Sequence, residues 1–271
     1  MKGKYLDFAS DDVVLLITGC INPIENQKYL VLKNAEERLR QYVSSIEFWI
    51  TCSPFTRIVF CDNSRFEYHG IEELQRLASD NNKEFEWISF QGNNQKVLEC
   101  GKGYGEGEII EYALCHSRLL KRAIVFAKIT GRLKIKNAYD LTKNTKEGVN
   151  YFNRDIYRGH GIDTRFYLCD ICFYTKYLMH AYYSTSITPN QVIAIEDIFY
   201  TILHKKRMCY RALMSYPVFE GKSGGNGRDY SKVPSAVTMA LGAACRMNVF
   251  NQCYPIVLAL QKMMLVITGR I

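Results

Sequence analysis

No apolar run in the 271 residues is long enough to cross a bilayer. The most apolar stretch, 255–267, is broken by Gln261 and Lys262 and falls short of the roughly 20 residues a spanning helix needs. Residues 1–12 carry charges and no apolar core, so they do not read as a secretory signal. The five histidines show neither H-x-x-x-H nor H-E-x-x-H spacing. The single C-x-x-C, Cys169 to Cys172, has no second pair at zinc distance, so no metal site is expected from either residue type. Internal repeats and low-complexity linkers are also missing. What remains is an ordinary globular composition, 48 % hydrophobic and 23 % charged, which excludes disordered, collagenous and coiled-coil classes. Length allows one large domain or one domain with an appendage.

Ten cysteines lie mostly inside apolar runs and read as buried, reduced thiols of a cytoplasmic protein. Lysine and arginine total 35 against 27 acidic residues, a net charge of +8. That excess suits anionic partners in general: nucleotides, nucleic acid or an acidic membrane surface.

Val13 to Thr18 is a continuous aliphatic run ended by Gly19, the pattern of a strand buried on both faces. Residues 34–49 have helical spacing, with Leu39, Tyr42, Val43 and Ile46 on one face and Asn34 as N-cap. Strands are predicted at 57–61, 85–90 and 123–129, a short helix at 71–79, a glycine-rich loop at 101–107 and a helix at 106–120. Strand–helix alternation over 130 residues predicts an α/β fold with an open, mostly parallel central sheet flanked by helices. The second half reads as a long strand or hairpin at 164–174 and a helix at 189–204. A loop at 218–230 follows, then two C-terminal helices at 235–248 and 255–267. The expected division is 1–231 as a catalytic unit (1–136 binding a nucleotide, 137–231 the acceptor), followed by a helical segment, 232–271.

Open parallel sheets bind ligands beyond the C-terminal ends of their strands. Three such ends carry polar or glycine-rich sequence: Thr18-Gly19-Cys20, Asp62-Asn63-Ser64, and Lys128-Ile129-Thr130-Gly131-Arg132, with Lys134 and Lys136 beyond. Asp62 is a candidate acceptor for a ribose or base, although Asp-Asn-Ser is also a common capping turn. Lys128 and Arg132 are candidate cations for a leaving diphosphate. The 101–107 loop, with Gly103, Gly105 and Glu106, is a candidate phosphate cradle, though it neither follows the first strand nor ends as a P-loop does. Glu196-Asp197 lies in an apolar helix, where adjacent side chains point about 100° apart. One of the two is a candidate general base. Basic residues interleaved with tyrosines over 151–183 also fit a non-enzymatic nucleic-acid- or glycan-binding protein. No RNA-module motif accompanies them. A methyltransferase or dehydrogenase would carry G-x-G-x-x-G after the first strand, where only Gly19 stands.

The order of these segments, LLITGCINP at 15–23, FCDNS at 60–64, GKGYGEGEIIEYAL at 101–114 and IEDIFY at 195–200, resembles the GT-A class of nucleotide-sugar glycosyltransferases. The likeness is to small bacterial enzymes that build surface polysaccharides. The resemblance implies a Rossmann-like catalytic domain that transfers a sugar from a nucleotide donor to a hydroxyl of a glycan or lipid-linked glycan. Asp197 or Glu196 would be the base, with inversion at the anomeric carbon. Thr18, Gly19, Cys20, Asp62, Asn63, Ser64, Gly103, Gly105, Glu106, Thr130 and Gly131 would surround the donor. Ser223, Gly224 and Arg228 would stand on a closing lid. The class usually holds a divalent metal with Asp-x-Asp at the fourth strand end. Here no carboxylate lies between Glu111 and Asp140. The expectation is therefore a cofactor-free, metal-independent transferase, with UDP-sugar as the default donor and CMP-sugar also compatible. No nucleic-acid partner is expected, and peripheral association with the inner face of a membrane is.

Overall fold

The computed structural model describes residues 4–10, 12–25, 30–143, 145–155, 161–205, 208, 210–213, 215–223 and 227–232. The expected C-terminal helices at 235–248 and 255–267, and Gly224 of the expected lid, lie outside them.

Six strands form one sheet in the order β3-β2-β1-β4-β7-β6. β1 (Val13–Gly19), β2 (Arg57–Asp62), β3 (Glu84–Ser89) and β4 (Val125–Thr130) run parallel. β7 (Ile162–Asp170) and β6 (Tyr151–Arg154) continue the sheet antiparallel, so both halves of the chain supply strands to it. Small pairs complete the strand set: β5 (Lys134–Ile135) with β10 (Phe219–Glu220), and β8 (Ser186–Ile187) with β9 (Val192–Ile193).

β1 is fully buried, and its alternating side chains divide between two cores. Val13, Leu15 and Ile17 pack with Tyr42, Ile46, Trp49 and Ile50 of α1 (Ala35–Cys52). Val14 and Leu16 pack on the other face with Ile109, Ile110 and Ala113 of α4 (Lys102–His116). This two-sided burial is why the strand reads as an unbroken aliphatic run. The Asn34 side chain accepts from the Glu37 amide at 2.8 Å and starts α1 as its sequence position predicts. α2 (Ile71–Asp80), α3 (Asn94–Cys100), α5 (Ala138–Thr142), α6 (Ile171–Tyr177) and α7 (Ile195–Tyr200) complete the helices that matter below. Among the described residues, no helix is long and apolar enough to cross a membrane.

Three local expectations are corrected. The 101–107 segment is not a loop: Gly101 is the N-cap of α4, and Gly103, Gly105 and Gly107 lie in its first turns. Glycine is a poor helix former, but here absence of a side chain lets other elements close on the helix. A Cβ at Gly107 would come within 2.2 Å of the Tyr182 Cβ. The helix expected at 189–204 begins only at Ile195, because 192–193 pair as β9, and a π-helical turn, Thr201–Lys205, follows α7. The 164–174 segment is strand to Asp170, whose side chain then caps α6 by accepting from the Phe173 amide at 2.8 Å.

Gly107→Ala is expected to lower stability by a net of about 1–3 kcal/mol, overpacking outweighing roughly 1 kcal/mol of gained helix propensity. The urea midpoint measures it. An unchanged or raised midpoint would show that the α4 contact is not tight.

Candidate active site

A cleft opens at the C-terminal ends of β1, β2 and β4 and holds about 1260 Å³ of space, its open mouth included. Thr18 and Gly19 of β1, Cys20 just after it, Asn63 after β2, Thr130 at the end of β4 and Arg132 beyond it line the cleft. Arg38 and Tyr42 of α1 form one wall. Lys102, Gly103, Gly105 and Glu106 of α4 and Glu196 of α7 form the other. Thr164 and Arg165 of β7 close the floor, and Lys222, Ser223 and Tyr230 come from a hairpin after β10.

Asp62 does not face this cleft. It is fully buried and closes the β2 turn by accepting from the amides of Ile21 (2.8 Å), Ser64 (3.1 Å) and Phe66 (3.2 Å) and the Ser89 hydroxyl (3.0 Å). With its lone pairs so engaged it has none to offer a ribose, and the expectation for Asp62 is corrected. Ser64 is similarly occupied: its hydroxyl donates to Asp62 and accepts from the Asn22 amide at 2.9 Å. Asn63, the neighbour in between, is the polar residue that reaches the cleft. It is 7 % exposed and its Oδ1 is buried without a hydrogen-bond partner among the described residues.

Lys128 is also corrected. It is fully buried, and its ammonium donates to Glu106 Oε1, Thr130 Oγ1 (3.0 Å) and the Thr164 carbonyl (2.7 Å). An ammonium has three donors, so none remains for a substrate. Lys128 instead ties β4, β7 and α4 together and neutralises Glu106. Lys134 and Lys136 point elsewhere, to Ser44 Oγ at 3.0 Å and to Glu220 at 3.0 Å. Gly131 lines no part of the cleft. Its amide donates to the Thr18 carbonyl at 2.9 Å, and a Cβ there would lie 2.3 Å from that oxygen.

Arg132 is different. It is 8 % exposed, donates to Gln41 Oε1 at 3.1 Å and lies against Tyr42. Arg38, 4 % exposed, donates to the Cys20 carbonyl (2.8 and 2.5 Å), the Leu32 carbonyl (3.0 Å) and the Tyr42 hydroxyl (3.2 Å). Neither guanidinium has a carboxylate partner among the described residues. Burial lowers the pKa of Arg132 from its ordinary value, Tyr42 opposes that shift, and the charge of Arg38 adds to it. Two like charges are thus held near each other in a largely buried wall, which disfavours both unless an anion joins them. Sequence reasoning missed Arg38, along with Arg165 and Lys222. Arg165 is not free, being bidentate on Asp163 (2.8 and 2.6 Å) and packed on the Phe219 ring at 4.3 Å.

The acidic pair separates as its helical geometry requires. Glu196 faces the cleft. Burial holds its carboxyl above the ordinary range; Lys102 opposes that, and Glu106 and Asp155 reinforce it. Asp197 does not line the cleft; its Oδ2 accepts from the Ala194 amide at 3.4 Å at the start of α7. The Cys20 thiol lines the cleft but is pushed up to about 11, chiefly by burial, and is no nucleophile at neutral pH. Arg228 lies in the hairpin, 5.9 Å from the Tyr230 ring, outside the lining, while Ser223 is within it. Among the described residues, no three His, Cys, Asp or Glu side chains are grouped to hold a metal ion.

No protein-family model and no curated protein sequence matches this chain. Among solved structures it is similar to the apo form of the glycosyltransferase GlyE of Streptococcus pneumoniae TIGR4, with TM-score 0.46 and 10 % identity over 75 % of this chain and 45 % of that one. It therefore spans less than half the length of GlyE. It is also similar to mouse xyloside xylosyltransferase 1 in its apo form, with TM-score 0.41 and 12 % identity over 74 % of this chain and 84 % of that one. A third likeness is to HddC from Yersinia pseudotuberculosis, with TM-score 0.33 and 15 % identity over 78 % and 92 % of the two chains. Likenesses this partial set neither donor, acceptor nor mechanism.

A carboxyl whose folded pKa is raised stabilises the fold most below its unfolded value, about 4.3, and loses that contribution as pH rises through the folded value. Glu196 is such a group. Glu196→Gln should therefore melt higher than the parent at pH 7 and equal to it near pH 4. A lower melting temperature at pH 7 would contradict the burial of an ionisable Glu196.

Proposed function

We propose that the chain is a glycosyltransferase that takes a sugar from a nucleotide donor and places it on a hydroxyl acceptor. The observation that supports this most is the pair of buried guanidiniums, Arg38 and Arg132, which have no carboxylate partner among the described residues and lie where an open sheet binds its ligand. Such a wall favours a phosphate anion, because the anion supplies the missing counter-charge in a low-dielectric setting. The donor is a UDP-sugar by default, and a CMP-sugar is the alternative. Asn63, with its unpartnered amide oxygen, is positioned to meet the base.

The reaction is an in-line displacement. The acceptor hydroxyl gives its proton to Glu196, and its oxygen forms a bond to the anomeric carbon. The bond from that carbon to the phosphate oxygen breaks, and its electron pair leaves with the phosphate, whose new charge meets Arg132 and Arg38. Attack from the side opposite the leaving group inverts the anomeric centre. Glu196 is a stronger base than an exposed glutamate because burial disfavours its charge. Asp197, engaged at the helix start, is not assigned this role.

The end of β4 offers a hydroxyl, a glycine and a guanidinium, a donor set that does not fit a divalent cation. No step is routed through a metal. A surface-polysaccharide or lipid-linked acceptor, a cytoplasmic setting and contact with the inner face of a membrane belong to the same proposal, on the strength of the sequence resemblance and the +8 charge.

Two variants test the chemistry. Glu196→Gln should lower kcat by roughly 10²–10⁴, and the parent's kcat/KM should fall on the acid side with a midpoint above about 4.3. Arg132→Ala should lower kcat by roughly 10²–10³. Turnover of either variant at the parental rate would remove that residue from the mechanism. Absence of binding of UDP, CMP and GDP to the parent in titration calorimetry would remove the whole reading.

A further inference from the structure

The two guanidiniums share one aromatic ring. Cζ of Arg38 and Cζ of Arg132 each lie 5.8 Å from the centroid of Tyr42. Arg38 and Tyr42 stand four residues apart on α1 and so project from one face of it. Arg132 arrives independently, from the turn after β4. The Tyr42 hydroxyl accepts from Arg38 Nη2 at 3.2 Å and from the Cys20 amide at 3.0 Å, and the carbonyl of that same Cys20 accepts from Arg38 Nε at 2.8 Å. Tyr42, Arg38 and the end of β1 therefore form one closed set of hydrogen bonds.

The ring has little room to move. Tyr42 is 4 % exposed and packs on Phe60 with centroids 5.4 Å apart. On the β4 side it approaches Gly131 so closely that a Cβ there would lie 2.7 Å from a ring carbon. Glycine at 131 thus admits the ring, and the ring meets both cations. An aromatic face attracts a nearby cation but does not neutralise it. The result is two positive groups at fixed places on one wall of the cleft, each answered only by neutral partners among the described residues.

We infer that Tyr42 is a positioning residue that holds Arg38 and Arg132 as one clamp for a two-phosphate anion. The cleft is then built for a nucleoside-diphosphate-linked donor rather than a nucleoside-monophosphate-linked one. This rests on the proposed function and sharpens its donor class. Two guanidiniums on a common ring offer a cation to each of two phosphates, and neither is consumed by an internal salt bridge among the described residues.

Titration calorimetry with inorganic pyrophosphate, inorganic phosphate, UDP and uridine tests this on the parent, Tyr42→Phe and Tyr42→Leu, with ligand-observed NMR for weak binding. The parent should bind pyrophosphate more tightly than phosphate, and UDP more tightly than uridine. Tyr42→Leu should weaken pyrophosphate and UDP by about tenfold or more, phosphate by less, and leave uridine within about twofold, as loss of two desolvated cation–aromatic contacts implies. Tyr42→Phe, which keeps the ring and loses only the hydroxyl that accepts from Arg38 and the Cys20 amide, should weaken pyrophosphate less than Tyr42→Leu does. Where Tyr42→Leu fails to fold, Tyr42→Met, whose longer and more flexible side chain adapts better to the ring's space, carries the same comparison. Equal weakening of uridine and UDP in the ring-less variant would overturn the inference, reducing Tyr42 to core packing. So would undiminished pyrophosphate binding. If the parent itself binds neither pyrophosphate nor UDP, the functional reading fails first. If the parent binds both and only the charge-graded loss is missing, the clamp alone fails.

Discussion

The structure around the cleft depends on where positive charge is buried and whether anything answers it. Three cations are drawn into the protein at the ends of β1 and β4. Lys128 is answered by Glu106, a hydroxyl and a carbonyl, all inside the fold. Arg38 and Arg132 are answered by carbonyls, an amide oxygen and a tyrosine hydroxyl, which satisfy hydrogen bonds without cancelling charge. Burying an uncancelled charge is costly. The proposed anion site rests on that electrostatic imbalance more than on any sequence motif.

The same imbalance orders the rest of the site. Lys128 and Glu106 lock α4 against β4 and β7, which fixes the wall opposite the guanidiniums. The glycines in the first turns of α4 let Ile195, Val97 and Tyr182 close on it. Across the cleft, α7 presents Glu196 and keeps Asp197 at its own start. A carboxylate therefore stands on one side of the cleft and a cationic wall on the other. The proposed transfer would use both, taking up a proton at one end of the displacement while negative charge develops at the other.

Much of the fold was legible because its signals are local. The aliphatic run of β1, the Asn34 cap and the strand–helix alternation each follow from burial on two faces or from one hydrogen bond. The cleft was located for the same reason, as the place where strand ends turn polar. Its individual residues were less legible, because a single position decides them. Asp62 and Asn63 are neighbours, but the carboxylate closes the turn and the amide reaches the cleft. Lys128 and Arg132 both read as free cations near one strand end. The pleat sends Lys128 towards α4 and Glu106, and the turn at Gly131 sends Arg132 outward. Arg38 left no mark, since a charged residue on a helix ordinarily faces water, and only the fold shows it buried beside Tyr42. The glycines of α4 read as a loop because tertiary contact with Tyr182 outweighs their weak helix propensity.

In the proposed reading, Arg38 and Arg132 together hold the phosphates of a nucleotide donor. A crystal structure of the chain soaked with UDP tests it most directly. Phosphate oxygens are expected within about 3 Å of guanidinium nitrogens of both arginines, the distance of a charge-assisted hydrogen bond. The base is expected beside Asn63 and the sugar end of the diphosphate directed towards Glu196. UDP bound elsewhere, or bound in the cleft with its phosphates turned away from both arginines, would contradict it.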